Sequence, residues 1–478
     1  MINRTARPMM GLAVALACLT ATPGQATQTA QAPSLRLMDT SLSTLFSAGC
    51  ASEPDAVLGQ LQGGGHDPKQ CGFNFQAAEL SLAGAVDPYF EAQAHILFGD
   101  GHVELEEAYL RTTQLPWGLE AKAGYYLTEF GRVNPSHPHA WTWVDQPVVS
   151  SRLLGGEGIR GAGARLAWLI PGHEDAQIIL GAQNANNDTM ISFLGAGHSH
   201  DHAGGHAHDT HAHDGHAHAG EAATDAGIGG SHVMAREIAG WKDLLWLLRW
   251  EQGGALSDSL SWQGGVSGLF GPNRSGPDNQ TRVYGADLRL RWQPADNFRG
   301  APALTWQTEW MQRDFEATPA TGQARDTRTL RDQGLYTQLL YTFHPAWSSG
   351  LRYEQVSGSG ELAGHARADD PQRADRWRLS PLLSWSPTHF SRLRLQYNLD
   401  DTDTLEDQAQ PVWLAADFKL GAHPAHAGGK GMSQHVNTAR APWRRWRRLV
   451  QSSLLLIGIL TGGWSRAEPP LQVVATLP

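Results

Sequence analysis

The chain has 478 residues, with 41% hydrophobic and 18% charged residues and a formal net charge of −10 at pH 7. This acidic balance argues against a nucleic-acid partner, which would require a basic surface. Between its two ends the sequence has no apolar run of the roughly 20 residues that a membrane-spanning helix needs. The composition therefore excludes a nucleic-acid-binding protein and a protein that crosses a membrane with helices.

The first 32 residues have the organisation of a secretory signal peptide. Arg4 and Arg7 precede an apolar stretch, Met9–Leu19, and small-residue cleavage sites follow at Ala26 or Ala32. The protein is therefore expected to be exported. Lipidation at Cys18 is disfavoured because Leu16 occupies a position where a lipidation motif has a small residue.

Two cysteines, Cys50 and Cys71, remain in the body of the chain after the signal peptide and are separated by 20 residues. An even number of cysteines in an oxidising compartment favours a disulfide between them. Two free thiols, or a metal-binding pair completed by His66, are the alternatives.

The C-terminal residues 427–478 resemble a second signal peptide rather than the end of a domain. Within residues 440–467 a block of five arginines precedes the apolar stretch Leu449–Trp464 and a cleavage-like Ser465-Arg466-Ala467. A C-terminal membrane anchor is the alternative, although this stretch is short and contains glycines. We interpret the tail as a gene fusion or a read-through. Its last residues, 468–478, resemble the first strand of a zinc- or manganese-binding protein of an ABC transporter.

Between these ends, residues 33–426 show the two-residue periodicity of β-strands. Tyr284, Leu288 and Trp292 share one face of a strand, while Asp287 and Arg289 share the other. Segments of about ten residues with aromatic ends recur in this way, as they do in lipid-facing barrels. The fold class is therefore all-β, a transmembrane antiparallel β-barrel of about 16 strands.

Short turns alternate with long connections along this region. With both barrel termini in the periplasm, the short turns are periplasmic and the long loops external. The long loops are expected at residues 47–72, 129–157, 186–240, 314–332 and 357–373. Too few residues precede the first strand for a plug domain, so a porin-like barrel with an aqueous lumen is expected.

Within the external loop at 186–240, residues 197–220 contain nine of the 22 histidines of the chain, interspersed with aspartates. Imidazole and carboxylate groups bind Zn²⁺, and Cu²⁺ or Ni²⁺ are possible alternatives. Many interchangeable ligand sets predict loose, exchangeable binding of several ions, which suits capture and hand-off; a solvated loop with incidental metal binding is the alternative. The candidate ligands are His198, His200, His202, His206, His208, His211, His213, His216, His218, Asp201, Asp209 and Asp214.

A second candidate metal site or constriction lies in the loop that we place after the fourth strand. This loop is expected either to fold inward and narrow the pore or to pack on the rim through its tryptophans. Glu107 is expected on the strand face opposite to the two glutamates of this site. The candidate residues are His137, His139, Asp145, Glu104 and Glu106.

Arginines are expected to face the lumen in the C-terminal half, which makes the lumen mixed in sign and equally compatible with an anion such as phosphate. They are Arg289, Arg291, Arg352, Arg376, Arg378, Arg392 and Arg394.

The stretch from Asp87 to Pro147 resembles a family of zinc-regulated outer-membrane proteins. Its marks are "GDGHVELEEAY", "HPHAWTWVDQP", the histidine-rich loop and the terminal "LGAHPAH". Members are often described as TonB-dependent receptors, but they look like plugless porins related to phosphate-selective ones. The resemblance covers about Leu35 to Ala425. It implies assistance of zinc uptake under zinc limitation, with genes beside those of a zinc ABC importer. One departure is that such barrels usually end on an aromatic residue, whereas this chain continues.

The implied partners are divalent metal ions, outer-membrane lipid, the barrel assembly machinery and the periplasmic zinc-binding protein of an ABC importer, with a homotrimer as the expected assembly. A general or anion-selective porin with incidental metal binding is one alternative. A periplasmic metal-binding protein anchored by its C-terminal segment is another. An enzyme is disfavoured because the sequence has neither Gly-x-Ser-x-Gly nor His-Glu-x-x-His.

Overall fold

The computed structural model describes residues 38–99, 101–113, 115–173, 175–196, 227–320 and 326–421. Nearly all regular structure in them is β-strand, and the two short α-helices are α1 (Asp55–Leu61) and α2 (Val148–Leu154). Among the described residues, no helix has the length and hydrophobicity needed to cross a bilayer. The strands are β1 (Asp39–Cys50), β2 (Gly72–Ala85), β3 (Phe90–Phe98), β4 (Val103–Thr112), β5 (Leu119–Leu127), β6 (Arg160–Leu169), β7 (Ala176–Asn184), β8 (Leu244–Ser257), β9 (Leu260–Pro272), β10 (Gln280–Trp292), β11 (Ala303–Ala317), β12 (Arg328–His344), β13 (Trp347–Ser359), β14 (Arg376–Thr388), β15 (Ser391–Tyr397), β16 (Leu399–Thr402) and β17 (Val412–Gly421).

The strands form one antiparallel sheet that closes on itself. Each strand pairs with its neighbour in the chain, and β17 returns to pair with β1 over Ser41–Cys50. β16 continues β15 past Asn398, and both pair with β14, so the two together make one crossing. The molecule is therefore a closed barrel of sixteen strands, which confirms the predicted fold class. Closure leaves no unpaired sheet edge, as a hydrocarbon environment requires.

The barrel is apolar outside and polar inside. Leu395 is 48% exposed, whereas Arg394 beside it on the same strand is 1% exposed. On β10, Tyr284 and Trp292 face outward while Asp287 is buried, which confirms the predicted alternation. A soluble protein buries its large apolar residues and exposes its charges. This inverted pattern is that of an outer-membrane barrel. The alternative of a water-soluble periplasmic body is therefore wrong.

The long connections are residues 51–71, 128–159, 185–243, 318–327 and 360–375, close to the five predicted loops. The strand ends that they join all lie at one end of the barrel. The connection at 128–159 follows the fifth strand, β5, and not the fourth as predicted. A loop after an odd-numbered strand lies at the end opposite to the chain termini, which is the external end in outer-membrane barrels.

The connection 128–159, which we call the strap, packs against the inner side of the barrel wall. Helix α2 of the strap is buried against β11, β12 and β13. Phe130 and Leu153 of the strap belong to one apolar cluster with Met311 and Tyr336 of the wall. The strap thus folds inward, and the alternative of packing on the rim is wrong.

At the external end, Cys50 and Cys71 form a disulfide that joins the end of β1 to the start of β2. The chain divides into two units, residues 1–426 and 427–478, and all described residues belong to the first. The predicted signal peptide, the histidine-rich segment with its twelve candidate ligands (198–218) and the tail lie outside the described residues.

Candidate metal centre

Three neighbouring strands place acidic and histidine side chains in one row on the inner face of the barrel. Ser81 of β2 lies opposite His95 of β3, which in turn lies opposite Glu107 of β4. The pairing register then shifts at a β-bulge, so that Glu106 is an extra residue in β4. Glu106 and Glu107 are consequently both buried inside. The prediction that Glu107 lies on the opposite face is wrong, because strict alternation fails at a bulge.

Glu79, two residues before Ser81 on β2, also contacts His95 of this row. Its Oε1 lies 2.9 Å from His95 Nδ1 and accepts a hydrogen bond of 2.7 Å from the Ser81 hydroxyl. Both Glu79 and His95 are only 1% exposed. We refer to the inner face formed by Glu79, His95, Glu106 and Glu107 as the histidine wall.

The strap contributes two further histidines. Pro138 begins a single 3₁₀ turn, Pro138–Ala140, and its fixed φ suits this first position. His137 precedes the turn, with Nδ1 2.8 Å from Glu106 Oε2 and 3.2 Å from Glu79 Oε2, and with Nε2 2.9 Å from Glu107 Oε2. His139 Nδ1 lies 2.8 Å from Glu79 Oε2. The strap therefore meets the histidine wall through imidazole–carboxylate contacts.

Glu79, His95 and His137 have the chemistry of a transition-metal site. One ligand atom of each lies within 4.8 Å of the other two, and all three side chains are buried. Two imidazoles and a carboxylate are donors that Zn²⁺ accepts, and three protein ligands leave a position for exchange. Glu107 contacts the other ring nitrogen of His137, in the arrangement by which carboxylates orient metal-binding histidines. The residues therefore fit a zinc ion.

The electrostatics of the cluster also favour a cation. Three buried carboxylates, Glu79, Glu106 and Glu107, surround His137. Burial lowers the pKa of His137, but the Glu106 and Glu79 carboxylates together raise this pKa well above its ordinary value. The pKa of His139 is lowered, chiefly by burial. A proton or a metal ion at this position would offset buried negative charge, which is costly when uncompensated.

The two other candidate residues of this site lie elsewhere. Glu104 pairs with the guanidinium of Arg160 near the external end of β4. Asp145 lies further along the strap, where it pairs with Arg352 of β13 and Arg378 of β14. Burial raises the pKa of Asp145, but these two arginines overcome burial and hold the pKa below its ordinary value.

Asp145 is therefore not a ligand of this cluster. Gln396 Nε2 and Asn398 Nδ2 donate hydrogen bonds of 2.9 and 2.8 Å to its two carboxylate oxygens. With both oxygens engaged by guanidinium and amide groups, Asp145 serves as an anchor of the strap. The prediction that Asp145 joins His137 and His139 is wrong. It was based on proximity along the chain, and the fold places these residues against different partners.

Three residues of the cluster, Glu79, His95 and Glu107, were absent from the candidate site. Glu79 and His95 each lie near the middle of a strand, and the alternation of inward-facing polar residues along these strands is a signal that could have identified them. The register that aligns β2, β3 and β4 is not visible in the sequence.

The arginines of the C-terminal half line a neighbouring inner face, since only β1 separates β17 from β2. Arg352, Arg378 and Arg394 are each 1% exposed, and Arg376 is also buried, as predicted. Arg289 and Arg392 are half-buried, whereas Arg291 is exposed near the periplasmic end of β10. We refer to the face formed by Arg352, Arg378 and Arg394 with their carboxylate partners on β13–β17 and the strap as the arginine wall.

No family model matches the chain. An uncharacterised protein of Aquifex aeolicus (strain VF5) is 28% identical over 414 residues, covering 82% of this chain and 80% of that protein. The resemblance to the zinc-regulated family and that of the tail to a metal-binding protein stay predictions.

Several solved outer-membrane proteins share the course of the backbone, each over 80% of this chain. The anion-selective porin from Comamonas acidovorans has a TM-score of 0.47 and 7% identity, with all of that chain covered. The outer-membrane channel DcaP of Acinetobacter baumannii has a TM-score of 0.45 and 11% identity, with 95% covered. The trimer form of OmpT of Vibrio cholerae has a TM-score of 0.46 and 7% identity, with 99% covered. The barrel assignment itself comes from the closed strand ladder of this chain.

Proposed function

We propose that this porin-like outer-membrane barrel captures zinc, or another divalent transition metal, and assists its passage to the periplasm. The observation that supports this proposal is the buried cluster of Glu79, His95 and His137 between the strap and the wall. A cluster of this composition inside a transmembrane barrel lies where an ion crossing the membrane would meet it. Its acidic surroundings favour a cation over a neutral solute.

The histidine-rich segment has the first role in this proposal. It belongs to the connection between β7 and β8, at the external end of the barrel. Its loosely held ions would exchange readily, and the buried cluster would take an ion from it. A periplasmic zinc-binding protein of an ABC importer is the proposed acceptor, and a homotrimer is the proposed assembly. We do not assign an enzymatic reaction to the protein.

An anion- or phosphate-selective porin is the second candidate, suggested by the number of buried arginines. The contacts that these arginines make argue against this second candidate. Arg352 and Arg378 pair with Asp145 and Glu354, and Arg394 pairs with Asp417. Because each buried guanidinium already has a carboxylate partner, the arginine wall presents little free positive charge to an anion.

The deciding experiment is zinc uptake by a deletion strain under zinc limitation. It compares full-length protein, protein lacking residues 198–218, and the triple variant Glu79→Gln, His95→Gln, His137→Gln. Full-length protein should restore uptake, and both altered proteins should restore less. Glu91→Gln is the matched control, because Glu91 lies on β3 and pairs with Arg111 away from the cluster. Equal uptake by all four proteins would refute the proposal.

A protease added to intact cells tests the assigned sidedness. Cleavage within residues 197–226 is expected without rupture of the outer membrane. Cleavage only after rupture would contradict capture of metal from outside.

A further inference from the structure

The strap is held to the two walls by different chemistry. On the arginine wall, guanidinium and amide groups bind Asp145 and the backbone of the strap. Val148 N donates to Glu354 Oε1 at 2.8 Å, and Trp143 Nε1 donates to the Ser380 carbonyl at 3.0 Å. On the histidine wall the contacts come from His137 and His139 to carboxylates.

Charges balance at the arginine wall. Asp145 and Glu354 face Arg352 and Arg378, two carboxylates to two guanidiniums. Arginine stays protonated at every physiological pH, so this anchor needs no additional ion. The strap is therefore fixed permanently on this side.

Among the described residues of the histidine wall, carboxylates outnumber the permanently charged groups. Glu79, Glu106 and Glu107 are buried together, and the guanidinium of Arg160 lies 3.9 Å from Glu106 while also binding Glu104. Carboxylates so close together repel one another unless a cation lies between them. A divalent ion would both offset the charge and join the surrounding groups.

We propose that a divalent transition-metal ion bound by Glu79, His95 and His137 fastens the strap to the histidine wall, so that metal occupancy controls how far the strap closes the interior. This inference rests on the proposed function and adds a regulatory role to the same site. One ligand, His137, belongs to the strap, and the other two belong to the wall. A single ion therefore links the two parts, and its loss removes this link.

The part of the strap that responds is short. Arg132 Nε lies 2.6 Å from Asp287 Oδ1 on β10, which fixes one end. Arg392 Nη2 donates to the His139 carbonyl at 3.1 Å, which fixes the other. Asn134 is also held, because its side chain hydrogen-bonds with the backbone of Thr128 and Ile159. Residues 135–138 lie between these anchors and include His137. Release of the metal would free this segment while the rest of the strap stays in place.

The test is conductance of the purified full chain in planar bilayers, with zinc chloride added and then removed by EDTA. Zinc should lower the conductance of the wild type, and EDTA should restore it. Glu79→Gln should lose the zinc response, whereas Glu91→Gln should keep it. The same recordings on protein lacking residues 198–218 exclude an effect of the external histidines. Heat-modifiable migration on gels verifies that each variant is a folded barrel.

Zinc binding, measured by calorimetry on the loop-deleted protein, separates this proposal from the proposed function. Glu79→Gln should weaken that binding by at least about tenfold. Zinc that binds the loop-deleted protein without changing conductance, or that raises conductance, would overturn the fastening role and leave the proposed function intact. A zinc response that persists in Glu79→Gln would overturn the site. No zinc binding in the loop-deleted protein would overturn the internal site and the observation that supports the proposed function.

Discussion

The arginine wall and the histidine wall solve the same structural problem with different side chains. Both hold the strap inside the barrel through buried charges. The arginine wall uses Arg352 and Arg378 with the carboxylates of Asp145 and Glu354, which form a balanced ion-pair network. The histidine wall uses Glu79 and His95 with His137 of the strap, groups that exchange protons and bind metals. The difference indicates that one side of the strap is a fixed support and the other side is responsive.

The largest effect is expected from breaking the fixed support. Asp145→Ala leaves Arg352 and Arg378 buried with fewer partners and removes the acceptor of Gln396 and Asn398. Breaking a buried ion pair by removing one partner costs about 3–5 kcal/mol. Urea unfolding of the reconstituted barrel, followed by tryptophan fluorescence, measures this loss.

Arg282→Gln is the matched control for the Asp145 variant. Arg282 pairs with Glu316 on the barrel surface, where Arg282 is 46% exposed. Exposed ion pairs contribute little because water screens them. The control should unfold at the wild-type urea concentration. An Asp145→Ala protein that matches it would refute the fixed-support interpretation.

A pH dependence is expected beside the histidine wall. His66, in the connection between β1 and β2, lies 3.1 Å from Glu157 at the end of the strap. Burial lowers the pKa of His66, but Glu157 and Glu106 raise it to about 9. Because the pKa of His66 is higher in the folded than in the unfolded protein, protonated His66 stabilises the fold. This contribution to the free energy of unfolding is complete below the unfolded pKa of 6.5 and is lost as pH rises through about 9.

The free energy of unfolding of the wild type relative to His66→Gln should therefore fall between pH 6.5 and 9, by up to about 3 kcal/mol. Urea titrations at pH 6, 7.5 and 9 measure this difference. Between pH 7.5 and 9 no such trend is expected between the wild type and Asp145→Ala, because arginine does not titrate in this range. A constant difference for His66→Gln would contradict the assigned contact.

The smallest effect sharpens the comparison at the metal site. Glu107→Gln keeps an oxygen that can accept the Leu127 amide hydrogen but removes the charge facing His137 Nε2. Loss of a residue that orients a metal ligand lowers affinity by about 10–100-fold, and we expect the lower end. Calorimetry with zinc on protein lacking residues 198–218 provides the measurement, with Glu91→Gln as control. Unchanged affinity would show that Glu107 does not orient His137.

Much of the barrel could be predicted from the sequence. The two-residue periodicity of segments such as 284–292 is a local property of the sequence. Every strand shows it because one face of the strand meets lipid and the other face meets water or packed polar groups. The number of strands and the positions of the long loops followed from it. His137 and Glu106 were also predicted together, because a loop with two histidines and a strand with consecutive glutamates are rich in metal-binding groups.

The sequence by itself thus determined a barrel, its faces and the types of side chain that line it, because alternation and composition are local. Only the tertiary structure decided which of those side chains meet. The bulge that turns both Glu106 and Glu107 inward, the register that brings Glu79 beside His95, and the strap that carries His137 to one wall and Asp145 to the other all depend on pairings between distant segments. Such pairings are set by the packing of the whole closed sheet, and no local pattern records them.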